Sequence, residues 1–209
     1  DGIRDSVASR GLGDVYKRQG FGKRGTTGKI ESIKYARKNK VPFLGICYGM
    51  QMAIIEFARN QLNLKKATSS EFDKKGLPII GLINEWTKDG KKIKGTDKDL
   101  GGTMRLGSWN CIIQNNSLAN KIYKLVSIEE RHRHRYEFNS DYLEQIKSKG
   151  LIPSGINKET NLVEIIELQN HPWFIGVQFH PEYKSTVYKP HPLFVSFIKA
   201  GLTHSEQKI

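Results

Sequence analysis

The sequence predicts an α/β domain with a mainly parallel central sheet flanked by helices. Three observations carry that reading. Short apolar runs bounded by Gly or Pro alternate with stretches at helical spacing. A sharp turn, Gly45-Ile46-Cys47-Tyr48-Gly49, joins one such run to a helix that is apolar nearly all round. Over 209 residues, 37% hydrophobic and 26% charged positions suit one globular domain, and no internal repeat or second domain is evident.

The elements follow in order. Residues 1–19 alternate glycines and charges without helical or strand period, and read as a terminal arm or a cloning or sequencing scar. Gly20-Phe21-Gly22-Lys23-Arg24-Gly25 is a glycine-rich loop. A helix is predicted over 29–40, with Ile30, Ile33 and Ala36 at helical spacing. Residues 41–46 form a short strand entered through Pro42, and 50–60 return to a buried helix through Met52, Ile54, Ile55, Phe57 and Ala58. Further strands are predicted at 79–83, 109–113, 162–168 and 173–178, a polar loop at 88–102, and a closing helix at 194–200. The domain is expected over 20–201, with 202–209 as a tail.

Composition excludes several classes. No apolar run approaches the ~18 residues needed to span a bilayer, and a secretory leader is not expected. Two cysteines, Cys47 and Cys111, exclude a disulfide scaffold and fit a reducing cytoplasm. Paired Cys/His spacing is lacking, so no metal site is expected. A net charge of +13 raises the possibility of a nucleic-acid partner, but the lysines are spread along the chain and read better as a solvated surface.

The Gly-x-Cys-x-Gly turn is the thiol form of a nucleophile elbow. Glycines on either side let strand and helix approach closely, and the turn presents the sulfur beside the Tyr48 N–H and the positive helix end. That field is expected to lower the thiol pKa. The plainer reading is a buried core cysteine, which is the expectation for Cys111. A cysteine nucleophile needs a base and an orienter. In Gln178-Phe179-His180-Pro181-Glu182, an extended chain would put His180 and Glu182 on one side, so that the carboxylate fixes the imidazole tautomer. A surface histidine beside an unrelated glutamate, or a His/Glu metal pair, are the competing readings. The run Arg131-His132-Arg133-His134-Arg135 suggests an anion site, against a solvated strand.

These motifs, together with Ser69-Ser70-Glu71-Phe72-Asp73 and Gly101-Gly102-Thr103-Met104-Arg105-Leu106-Gly107, resemble the class I (triad) glutamine amidotransferases. More narrowly, they are similar to the C-terminal glutaminase domain of CTP synthases, whose fold is flavodoxin-like. The resemblance implies a triad of Cys47, His180 and Glu182, with the Tyr48 N–H as one oxyanion donor. It implies glutamine binding by Gly20, Phe21, Tyr48, Gly49, Met50, Gln51, Glu71 and Arg135, with Glu71 pairing the substrate ammonium and Arg135 its carboxylate. No cofactor is implied for this chain. ATP and Mg²⁺, with GTP as activator, belong to a synthetase domain that receives the ammonia. The 102–107 stretch resembles a lid linked to GTP activation and ammonia transfer. The resemblance also implies a cytoplasmic homotetramer for the intact enzyme.

Two departures stand out. Gln19 occupies the place of a glycine that contributes to the family's oxyanion hole, and Tyr48 replaces the usual Leu. The strands that normally precede the glycine-rich loop are not recognisable in 1–19. The expectation is a copy lacking its first strands and the synthetase domain, for which inactivity is one expected outcome. The alternatives are another cysteine hydrolase of the superfamily, such as a γ-glutamyl hydrolase or peptidase, and a non-enzymatic nucleic-acid binder.

Overall fold

The computed structural model describes residues 25–82, 86–88, 91–93 and 104–207. The expectations for 1–24, which include Gln19, Gly20 and Phe21, and for 83, 89–90, 94–103 and 208–209 lie outside those residues.

Helix α1 (Thr26–Lys38) starts after Gly25, whose φ of 70° turns the chain into it. It buries Ile30, Ile33 and Ala36 along one stripe. Strand β1 (Phe43–Ile46) is buried throughout, and α2 (Tyr48–Gln61) is buried from Met50 to Ala58. That run includes Glu56, whose carboxylate is gripped at both oxygens by Arg37 of α1 at 2.9 and 2.7 Å. Strands β2 (Ala67–Ser69) and β3 (Leu77–Leu82) follow. Strands β4 (Trp86–Lys88) and β5 (Lys91–Ile93) pair antiparallel. The expected polar loop at 88–102 therefore holds the last residue of β4 and all of β5.

The rest of the chain supplies β6 (Arg105–Ile113), α3 (Leu118–Tyr123), β7 (Ser127–His134), β8 (Tyr136–Phe138), α4 (Leu143–Ser148), β9 (Leu151–Ile156), β10 (Val163–Leu168), β11 (Phe174–Val177) and α5 (Pro192–Glu206). The closing helix runs past the predicted end, so 202–206 of the expected tail are helical. His191 caps it by accepting from the Leu193 N–H, Pro192 sits in its first turn, and Gly201 is still buried.

The main sheet has six strands in the order β1-β11-β10-β9-β6-β7. It is mixed, and this corrects the mainly parallel expectation: β1 and β11 pair parallel, while the remaining four pairings are antiparallel. The cause lies in the connections. β9, β10 and β11 follow one another through short links, which permit only antiparallel neighbours. A second sheet has the order β2-β3-β8.

Side chains alternate across the main sheet. Phe43, Val163, Ile166 and Phe174 pack beneath α1 and α2. Leu44, Ile46, Ile165, Ile175 and Val177 pack on the other face with Ala119 of α3 and Leu193 and Phe197 of α5. Helices therefore flank both faces, as the sequence predicts.

Candidate active site

The site is built where β1 and β11 end. Their parallel register sets Ile46 opposite Val177, so the residues that follow both strands emerge at the same end of the sheet. Cys47 follows Ile46. Gln178, Phe179 and His180 follow Val177.

Cys47 adopts φ 49° and ψ −102°, a strained conformation for a side-chain-bearing residue. Its N–H donates to the Val177 carbonyl at 2.7 Å, which ties the turn to β11. Gly45 makes the elbow possible: a Cβ there would lie 2.8 Å from the Gly49 carbonyl carbon and 2.9 Å from the Met50 nitrogen. Gly49 differs from expectation, because a Cβ there would meet nothing within 4 Å. The close approach of strand and helix needs the first glycine; the second adjoins open space.

The thiol is pushed up to about 12 rather than lowered. Burial is the main cause. The Tyr48 N–H pulls the other way, but the charges of Glu137, Glu182 and Glu71 add to the rise. The expected helix-end field is thus outweighed, and the resting group is a neutral thiol.

His180 and Glu182 meet: Nδ1 lies 2.7 Å from Glu182 Oε1. The contact arises differently from the extended-chain prediction. Pro181–Lys184 is a 3₁₀ turn that begins at His180, and this turn folds the carboxylate back onto the imidazole. The His180 backbone N–H donates to the Arg131 carbonyl at 2.8 Å, tying this stretch of main chain to β7. Its Nε2 is buried without a hydrogen-bond partner among the described residues. With Nδ1–H held by the carboxylate, Nε2 is the basic nitrogen.

The substrate-binding candidates divide by what their side chains do. Glu71 is half-buried on the turn after β2, where its N–H donates to Ser69 Oγ, and its charge raises both the Cys47 thiol and the Tyr48 phenol. The Tyr48 ring lies 5.1 Å below the Lys29 ammonium. Met50 is fully buried in the core, so only its backbone faces the turn. Gln51 is also buried and committed: its Nε2 donates to the Tyr136 carbonyl at 2.9 Å and to Gln178 Oε1 at 3.2 Å. Gln178 Nε2 in turn donates to Cys47 Sγ at 3.6 Å. Gln178 is the residue that the sequence reading passed over. It stands two places before His180, and the argument used for His180 and Glu182 applied equally to it.

The basic run 131–135 also resolves. On β7, His132 and His134 are buried while Arg131 and Arg133 are exposed. Burial chiefly, and the charge of Arg105 next, hold both histidines far below their ordinary range, so they are neutral. Arg135 sits half-buried at the corner between β7 and β8, with Nη1 buried and unpartnered among the described residues. Cys111 is core, as expected. Among the described residues, no group of three or more His, Cys, Asp or Glu side chains could hold a metal ion. No described helix is long and apolar enough to cross a membrane.

The chain is 74% identical over 185 residues to the CTP synthase of Pelagibacter ubique, covering 88% of this chain and 34% of that protein. It is 55% identical over 199 residues to the CTP synthase of Flavobacterium psychrophilum, covering 95% and 36%. The chain thus spans about a third of the length of these curated relatives. Among solved structures it is similar to the Trypanosoma brucei CTPS glutaminase domain with bound acivicin, at a TM-score of 0.77 and 34% identity, covering 88% of this chain and 69% of that one. The model of the family "Glutamine amidotransferase class-I" matches residues 18–200. The resemblance carried by the motifs is borne out: this chain belongs to the class-I glutamine amidotransferase family.

Proposed function

We propose that this chain is the glutaminase part of a CTP synthase, hydrolysing L-glutamine to glutamate and ammonia. The observation that carries the reading is the thiol of Cys47 on its strained turn beside a strand that leads directly into the 2.7 Å His180–Glu182 pair.

Because the thiol is neutral at rest, His180 Nε2 takes its proton as sulfur attacks the carboxamide carbon. The S–C bond forms and the carbonyl oxygen becomes an oxyanion, which the Tyr48 N–H stabilises. The oxyanion collapses, the C–N bond breaks, and the proton on His180 goes to the departing nitrogen as ammonia. Water then attacks the thioester while His180 takes its proton. The C–S bond breaks, the proton returns to sulfur, and glutamate leaves. Glu182 holds the imidazole in the required tautomer and stabilises its charged form. Glu71 pairs with the substrate ammonium and Arg135 with its α-carboxylate. The proposed glutamine-binding residues also include Gly20, Phe21 and the backbone of residues 48–51.

The ammonia serves the amination of UTP to CTP in pyrimidine nucleotide biosynthesis. The synthetase part of the enzyme binds ATP and Mg²⁺, with GTP as activator. The proposal includes a cytoplasmic homotetramer, and two free, buried cysteines suit a reducing compartment. The test is covalent labelling by diazo-oxo-norleucine, a glutamine mimic, alongside glutamate release. Both are expected to vanish in Cys47→Ala; full labelling in that variant would refute the assignment.

A further inference from the structure

The corner that carries Arg135 is held by buried charges to which the proposed amide chemistry assigns no step. Arg105 opens β6 opposite His134 and is 1% exposed. Its Nη1 donates to Glu137 Oε1 at 3.0 Å and its Nη2 to Glu164 Oε1 at 2.6 Å. Glu137 lies on β8 of the three-stranded sheet, and Glu164 on β10 of the six-stranded sheet. One guanidinium therefore bridges the two sheets at the place where the chain crosses from one to the other. Arg135 is the crossing residue.

The histidines close the arrangement. His134 Nδ1 lies 3.2 Å from Glu137 Oε1, and His134 Nε2 lies 2.9 Å from His132 Nδ1. His132 Nε2 comes within 3.6 Å of Glu164 Oε2. A second tether reaches the corner from the helix side, through Gln51 and the Tyr136 carbonyl, and continues through Gln178 to the thiol.

Burying one cation and two carboxylates is costly, and well-packed apolar side chains would stabilise such a junction at least as well. What the charges add is direction. A planar guanidinium clamped at two nitrogens fixes the distance and angle between its partners.

We propose that Glu137 and Glu164, bridged by Arg105, are positioning residues that set Arg135 to receive the α-carboxylate of the substrate. The proposal rests on the reading of Arg135 as the carboxylate holder. Glu164 is the better probe, because Glu137 also acts electrostatically on the thiol and Glu164 is not among the charges that do.

The experiment is a double-mutant cycle on glutamine hydrolysis by the full chain, with Glu164→Gln, Arg135→Lys and the pair. Glu164→Gln is expected to raise KM about tenfold and to leave kcat within about twofold. If Arg135→Lys raises KM by about thirtyfold, the double variant is expected to remain near thirtyfold instead of multiplying to about three hundredfold. Multiplicative effects, or a fall in kcat without a KM change in Glu164→Gln, overturn the proposal while leaving Arg135 in its role. An unchanged KM in Arg135→Lys overturns the underlying reading and the proposal with it. If Glu164→Gln fails to fold by thermal melt, Glu137→Gln is read for the same KM rise, and its absence overturns the proposal.

Discussion

The neutral thiol has a measurable signature in the pH dependence of alkylation. The perturbation is iodoacetamide, which reacts with thiolate and has no need of the substrate pocket. At about pH 8, a thiol near 12 is ionised in roughly one molecule in ten thousand, against about one in ten for a thiol at 9.0. Cys47 should therefore react about a thousandfold more slowly than an ordinary cysteine, before any further loss from its burial. The shape of the profile is the sharper readout, since limited access scales every rate equally. The rate should climb about tenfold per pH unit from about pH 6 to about pH 9.5 without levelling. Cys47→Ala supplies the background from Cys111. Glu137→Gln should speed the reaction, because the Glu137 charge is the first of the three carboxylates that disfavour the thiolate. Diazo-oxo-norleucine should still label the protein near neutral pH, since in the proposed mechanism His180 removes the proton during attack. A plateau in the iodoacetamide rate below about pH 7 would show a preformed thiolate–imidazolium pair and refute the reasoning.

Three further outcomes are expected. Gly45→Ala should destabilise the fold by at least about 2 kcal/mol in urea unfolding, because its methyl would press on Gly49 and Met50 backbone atoms that cannot rotate away. Glu182→Gln should lower kcat by about 10²–10⁴ with little change in the urea midpoint, through loss of the imidazole tautomer and of support for its charged form. Arg37→Ala should cost about 3 kcal/mol in the same unfolding assay, since among the described residues the fully buried Glu56 would keep only the Asn60 amide at 3.1 Å against its charge.

Much of the site could be read from local patterns. The run Val41–Ile46 with the glycine-flanked Cys47 located β1 and its elbow, because a strand-to-helix reversal so tight leaves a compositional trace. His180 and Glu182 were found by proximity in sequence, although the turn that joins them was not foreseen. Other features depend on contacts made across the chain. The sense of each strand pairing follows from which links are short, and periodicity carries no such information. The inward face of β7 is made of Ile128, Glu130, His132 and His134, and its polar members disguised it as a solvated strand. Their partners lie far away: Glu130 meets His191, and His132 faces Glu164. Arg105 belonged to a recognised motif, yet its clamp on Glu137 and Glu164 spans 32 and 59 residues of chain. Gln178 was the one legible omission.

The adjacency of β1 and β11 has a consequence for how the chemistry withstands thermal motion. Sulfur and imidazole issue from neighbouring rails of one ladder, laced together by main-chain rungs up to the Cys47 N–H itself. When the domain breathes, both proposed reacting groups ride the same raft, so their separation changes far less than it would if they hung from independent loops.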